Sequence, residues 1–148
     1  MRILITGSNG YIGSVLGNYL ISKKFNVIGI DKQNNNKFIN FKQLKCNLNN
    51  TYKLISLFKK YKPEKVIHLA GESTIDNILL KKNYITNNIK ATKNLLEVCK
   101  KQKIKDLIFS STAAVYKRTN KKIEENYIKK PNNIYGITKL RAENLIIR

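Results

Sequence analysis

The sequence predicts an α/β fold, a doubly wound parallel sheet with helices on both faces. Three observations carry this. Short apolar runs alternate with longer amphipathic segments along the whole chain. The first run, residues 2–6, reads as a strand buried on both faces. A glycine-rich turn follows it directly and opens a helix. Such alternation calls for right-handed crossovers between parallel strands.

After the strand at 2–6, residues 11–23 are expected to form a helix with Ile12, Val15, Leu16, Tyr19 and Leu20 on its inner face. Residues 26–31 are a second buried strand, 32–37 a polar loop and 39–46 a weaker third strand. Residues 51–61 place Leu54, Leu57, Phe58 and Tyr61 at helical spacing, and Pro63 closes that segment. A fourth strand is expected over 65–70. A long helix follows from Tyr84 to Lys101, with Ile85, Ile89, Thr92, Leu95, Leu96 and Cys99 inward. Residues 105–111 are the fifth strand, 117–133 a polar loop, and a last helix begins near Ile134. No internal repeat or linker interrupts the 148 residues, so residues 1–148 read as one domain.

Hydrophobic residues make up 42% of the chain, enough for a packed core. The formal charge of +20 raises nucleic acid, membrane surface and anionic ligands as partners. Yet the chain holds 25 Lys, 20 Asn and 21 Ile against 4 Arg, so AT-rich coding explains much of that charge. Cys46 and Cys99 are too far apart for a disulfide scaffold or zinc knuckle and suit a reducing cytoplasm as buried thiols. No metal site is expected. The N-terminal apolar run is too short for a signal peptide, and no stretch approaches a membrane span, so a soluble, cytoplasmic protein is expected.

The turn Thr6-Gly7-Ser8-Asn9-Gly10-Tyr11-Ile12-Gly13 carries chemistry. Gly7 permits the tight turn, Gly10 lets backbone approach a pyrophosphate, and Gly13 lets the helix pack closely on the strand. The helix N-terminus then presents N–H groups to phosphates. Asp31 lies 18 residues past Gly13 at the end of the second strand, where a carboxylate binds ribose hydroxyls. It would repel a 2′-phosphate, so NAD is expected over NADP, with Lys32 beside it as a small counterweight.

Gly7-x-x-Gly10-x-x-Gly13, Asp31, Ser110-Ser111-Thr112-Ala113-Ala114-Val115-Tyr116 and Tyr135-x-x-x-Lys139 together resemble the extended short-chain dehydrogenases, most nearly the UDP-glucose 4-epimerase type of nucleotide-sugar epimerase. Val66-Ile67-His68-Leu69-Ala70-Gly71, Asn87-Asn88-Ile89 and Pro131-Asn132-Asn133-Ile134-Tyr135-Gly136 also match. The resemblance implies a Rossmann-type NAD-binding domain. Gly7, Gly10, Tyr11, Ile12 and Gly13 would hold the pyrophosphate, and Asp31 and Lys32 would lie at the adenosine ribose. Asn47 and Leu48 would flank the adenine, with Asn47 standing where the family has Asp. Leu69, Ala70, Gly71, Asn88 and Ser110 would line the cofactor's path. Thr112, Tyr135 and Lys139 would form the catalytic set, with Tyr135 and Lys139 also touching the cofactor.

Three departures bear on the reaction. Lys117 follows Tyr116 where the family has Gly, and Ser73 replaces a common cofactor-contacting Lys. Gly71-Glu72-Ser73-Thr74-Ile75-Asp76 looks more like the sugar-nucleotide 4,6-dehydratases. Those enzymes, however, carry Asp-Glu directly after the catalytic Thr, where this chain has Ala113-Ala114. Epimerisation is therefore the leading expectation, with dehydratase or reductase chemistry as the alternative.

Tyr135 and Lys139 are four apart on a predicted helix and so project from one face. A free phenol titrates at about 10, too high for an efficient base at neutral pH. A neighbouring ammonium stabilises the phenolate, so Tyr135 can take the proton of a sugar 4-hydroxyl while Thr112 bonds the same oxygen. His68, inside an apolar strand, is expected to be a satisfied core residue, and Glu124-Glu125 a solvated loop pair.

In the resembled family the sheet continues past the Tyr135 helix, and a C-terminal domain binds the sugar nucleotide. This sequence ends at Arg148 within that helix, so the expectation is the N-terminal part of such an enzyme, truncated before its substrate domain. Alone it is expected to lack epimerase activity and to form soluble oligomers. The full-length parent is expected to be a homodimer that takes a UDP-hexose. A competing expectation is an inactive Rossmann module binding nucleotide or nucleic acid, which the +20 charge favours and the absence of a recognised nucleic-acid motif opposes.

Overall fold

The computed structural model describes residues 1–73 and 81–147. Thr74, Ile75 and Asp76 of the dehydratase-like segment lie outside the described residues. The fold divides into two compact units, one of residues 1–70 and 94–110, the other of residues 71–93 and 111–148.

The first unit is built on a five-stranded sheet of order β3-β2-β1-β4-β5, parallel throughout. Its strands are β1 (Arg2–Thr6), β2 (Asn26–Asp31), β3 (Lys42–Lys45), β4 (Lys65–His68) and β5 (Asp106–Phe109). The order grows outward from β1 to β3, then reverses from β4 to β5. That reversal is the switch point at which doubly wound sheets bind ligands beyond their strand ends. β1 is central, and its Ile3, Leu4, Ile5 and Thr6 are all buried. This is why its sequence shows no in–out alternation.

Helix α1 (Tyr11–Ser22) packs on the face carrying Ile3, Ile5, Val27 and Ile67, with Leu16, Leu20 and Ile21 against them. The expected inner face of α1 is corrected here. Ile12, Val15 and Tyr19 are 59%, 57% and 56% exposed, and the buried residues are Gly13, Ser14 and Gly17. Leu16 and Leu20 do face the core, while the small buried residues leave Ile12, Val15 and Tyr19 on the outside. Helix α2 (Thr51–Tyr61) is capped by Asn50, whose side chain accepts the Lys53 N–H at 3.0 Å. It buries Leu54 and Phe58 completely and ends on left-handed Lys62 before Pro63. Each fully buried side chain of that size contributes about 1.5–3 kcal/mol relative to exposure.

The expected single helix from Tyr84 to Lys101 is three consecutive pieces: α3 (Lys81–Tyr84), a π-helical turn (Ile85–Lys90) and α4 (Ala91–Lys101). The Ala91 N–H reaches back five residues to the Thr86 carbonyl. The wider turn shifts the phase of the helix. Ile85, expected inward, is 39% exposed, and polar Asn88 is buried. In the second unit a 3₁₀ turn (Ala113–Val115) precedes the long polar loop, and α5 (Ile134–Ile146) follows it. Asn133 caps α5, accepting the Gly136 N–H at 2.7 Å. Among the described residues no helix is long and apolar enough to cross a membrane.

Candidate functional site

In the first unit the glycine turn sits at the carboxyl end of β1. Gly7 has φ +70 and donates its N–H to the Ile30 carbonyl at 3.0 Å. A Cβ there would come within 2.7 Å of the Ala70 N, so the turn rests on Leu69 and Ala70 at the end of β4. Gly13 is equally constrained, because an added Cβ would collide with the Gly7 carbonyl oxygen. Gly10 caps α1 without any side-chain bond to its first turn. The backbone N–H groups of that turn are therefore oriented for an anion, with Tyr11 and Ile12 exposed beside them.

Asp31 ends β2 half-buried. Its Oδ2 accepts the Asn9 N–H at 3.0 Å and its Oδ1 the Gln33 N–H at 3.1 Å. Asn9 does more than sequence reading suggested. Its side chain donates to Asn35 Oδ1 at 3.0 Å and accepts the Asn36 N–H at 2.9 Å. It thereby pins the loop after β2 to the glycine turn. The one signal for this in the sequence is an Asn, which readily bonds backbone, inside the turn. Lys32 is exposed. Of the expected adenine pair, Leu48 is buried in the core, while Asn47 is exposed and its Oδ1 accepts the Asn49 N–H at 2.9 Å. Ser110 is half-buried and donates its N–H to the His68 carbonyl at 3.1 Å.

His68 is fully buried and shares a 2.7 Å hydrogen bond with Thr6 Oγ1, in keeping with a core role. Cys46 and Cys99 are buried, and burial pushes both thiols up, Cys99 to about 12. Neither is suited to act as a thiolate nucleophile. Among the described residues no group of His, Cys, Asp or Glu is arranged for a metal ion.

The second unit gathers Gly71, Asn88, Thr112, Tyr135 and Lys139. Asn88 is 2% exposed and works as a clamp: its Oδ1 accepts the Glu72 N–H at 2.6 Å, and its Nδ2 donates to the Glu72 carbonyl at 3.1 Å and to Thr138 Oγ1 at 3.0 Å. Thr138 in turn donates to the Tyr135 carbonyl at 2.9 Å. A Cβ on Gly71 would lie 3.0 Å from Asn88 Oδ1 and 3.8 Å from Lys139 Nζ, so these two side chains both face Gly71. Lys139 is only 5% exposed. Burial lowers its ammonium to about 8, and Glu143 pulls it part of the way back.

Thr112 caps the 3₁₀ turn, its Oγ1 accepting the Ala114 N–H at 3.2 Å. That turn is pressed against the start of α5, since a Cβ on Gly136 would collide with the Ala114 carbonyl oxygen. Thr112 and Tyr135 are therefore held on two abutting segments, with Tyr135 half-buried on the helix that buries Lys139. Glu143, one turn further on, accepts a short hydrogen bond from Ser111 and pairs with Lys129 at 2.9 Å. Sequence reading passed over Glu143, although its spacing continues the series Tyr135, Lys139, Glu143.

The sequence pattern of the NAD dependent epimerase/dehydratase family matches residues 3–148. A dTDP-D-glucose 4,6-dehydratase of Dictyostelium discoideum is 36% identical over 98% of this chain and 39% of its own length. A UDP-glucose 4-epimerase of Pisum sativum is 34% identical over 97% of this chain and 46% of its own. The crystal structure of a UDP-glucose 4-epimerase from Brucella ovis in complex with NAD superposes with a TM-score of 0.92 at 26% identity, over 99% of this chain and 46% of that one. The chain thus spans half or less of the length of these relatives.

Proposed function

The chain belongs to the NAD dependent epimerase/dehydratase family, and from that premise we propose that it forms the NAD-binding and catalytic part of a nucleotide-sugar 4-epimerase of the UDP-glucose/UDP-galactose type. The observation that carries this reading is the abutting pair of segments that holds half-buried Thr112 and Tyr135 and a buried Lys139 lowered to about 8. The tight turn at Gly7 and Gly13, which leaves no room for a Cβ, the α1 N-terminus without a side-chain cap and the half-buried Asp31 carboxylate fit a dinucleotide. Gly7, Gly10, Tyr11, Ile12 and Gly13 would hold its pyrophosphate. Asp31 and Lys32 would meet its ribose, and Asn47, Leu48, Leu69, Ala70, Gly71, Asn88 and Ser110 would line its path. When bound, NAD supplies the hydride acceptor and donor at the sugar's C4.

The residues of this chain manage the proton. The Tyr135 phenolic oxygen takes the proton from the sugar 4-hydroxyl and returns it. The Lys139 ammonium stabilises the phenolate, and its burial strengthens that charge–charge interaction. The Thr112 hydroxyl bonds the same sugar oxygen and fixes its direction. Epimerase is favoured over dehydratase by the 3₁₀ turn, where Ala113 and Ala114 follow Thr112 and provide no acid or base for removing water. The test is to incubate the full-length protein, NAD and UDP-galactose and follow the anomeric protons by NMR. UDP-glucose is the expected product. A 4-keto-6-deoxy sugar would reassign the chain to the dehydratases.

A further inference from the structure

Glu143 joins three parts of the second unit. It follows Lys139 by one helical turn on α5, as Lys139 follows Tyr135. One carboxylate oxygen accepts a short hydrogen bond from Ser111, the residue before Thr112. The other holds Lys129 Nζ at 2.9 Å. The Glu143 side chain is 15% exposed, so its charge is screened less than that of a surface carboxylate. We propose that Glu143 is a positioning residue for the catalytic set, fixing the Ser111–Thr112 segment to the helix that carries Tyr135 and Lys139 and supplying the negative charge that holds the Lys139 ammonium. The proposal rests on the roles given above to Thr112, Tyr135 and Lys139.

Both halves of this role follow from the contacts. The Ser111 hydroxyl could be satisfied by any acceptor, so that bond alone calls for position and not for charge. The charge answers a different need. Lys139 is desolvated, which favours its neutral form, and a neutral amine would not stabilise a phenolate. Among the described residues, Asn88 from the π-helical turn and Gly71 from the segment after β4 lie beside it, and Glu143 stands one turn on along α5. The Glu143 carboxylate acts on Lys139 against its desolvation. Lys129 shares the same carboxylate and fixes its orientation.

Two substitutions separate the two halves. Glu143→Gln keeps an acceptor for Ser111 and removes the charge. Ser111→Ala keeps the charge and removes the donor. The 148-residue chain, labelled with ¹³C at Lys ε-carbons and Thr methyls, is titrated by NMR, with Lys139→Arg and Thr112→Ser assigning the signals. In Glu143→Gln the Lys139 midpoint moves to lower pH than in the wild type. In Ser111→Ala the Thr112 methyl signal moves and the Lys139 midpoint stays. An unmoved midpoint in Glu143→Gln, or an unmoved Thr112 methyl in Ser111→Ala, overturns the proposal. Should Glu143→Gln fail to fold by circular dichroism, Glu143→Asp, which retracts the charge, is read by the same criterion. None of these signals needs turnover. They therefore fail or succeed apart from the epimerase reading, which an active Tyr135→Phe parent would sink.

Discussion

Asn88 Nδ2 donates to Thr138 Oγ1 at 3.0 Å, joining the π-helical turn to α5 at the residue before Lys139. The same amide satisfies both peptide groups of Glu72. π-Turns are rare and often mark functional positions, and this one turns a polar side chain inward. Asn88→Ala would remove the two side-chain hydrogen bonds to the Glu72 N–H and carbonyl. The expected loss is about 1–3 kcal/mol of stability, read from urea unfolding. A variant as stable as the wild type would show that the clamp carries no structural weight.

Asp31 accepts two backbone N–H groups, one on each carboxylate oxygen, and this fixes its direction at the end of β2. A carboxylate held there repels a 2′-phosphate, so NAD should bind in preference to NADP. Asp31→Ala should narrow that preference. Calorimetric titration of both dinucleotides measures it, and equal or tighter binding of NADP by the wild type would contradict the assignment.

Lys139 gives a pH signature. Its folded value of about 8 lies below the ordinary 10.5, so the folded state pays for a buried charge at neutral pH. As pH rises through the window from 8 to 10.5 the folded lysine is neutral while the unfolded one still binds a proton, and that penalty is relieved. Lys139→Met should therefore be more stable than the wild type near neutral pH, by an amount on the order of a few kcal/mol, and lose this advantage as pH approaches 10.5. Denaturant unfolding of both proteins across that range checks it. A stability difference that does not change with pH would mean Lys139 carries no buried charge.

Much of the fold was legible because the central strands β1, β2 and β4 are buried on both sides. β1 and β2 read directly from uninterrupted apolar runs, and α2 from its spacing and the following Pro63. Periodicity misled in two places, each for a physical reason. On α1 Leu16 and Leu20 pack on the core as expected, but the fully buried positions are Gly13, Ser14 and Gly17, and the apolar Ile12, Val15 and Tyr19 lie outside. Before α4 the π-turn moves the phase, and buried Asn88 satisfies itself by hydrogen bonds that no hydropathy pattern records. The glycine turn and Asp31 were visible as a motif because backbone geometry dictates the residue types. Asn9 and Glu143 were not, since their partners, Asn36 and Ser111, are 27 and 32 residues away in the chain.

Tyr135→Phe in the full-length protein removes the hydroxyl and keeps the ring. Turnover should fall by about 10²–10⁴-fold, the usual contribution of a general acid–base group, while NAD affinity changes little. Steady-state kinetics and calorimetry on the same preparation separate the two effects. Turnover like that of the wild type would remove Tyr135 from the mechanism.

In the proposed 4-epimerisation, hydrogen leaves C4 of the sugar and returns to C4. UDP-galactose carrying deuterium at C4, incubated with the full-length protein and NAD, tests this most directly. The product should be UDP-glucose with the deuterium still at C4, seen by ²H NMR and mass spectrometry. Deuterium at C6 of a 4-keto-6-deoxy product would mean oxidation followed by loss of water, and deuterium lost to solvent would mean that no hydride transfer occurs. Either result would overturn the 4-epimerase assignment.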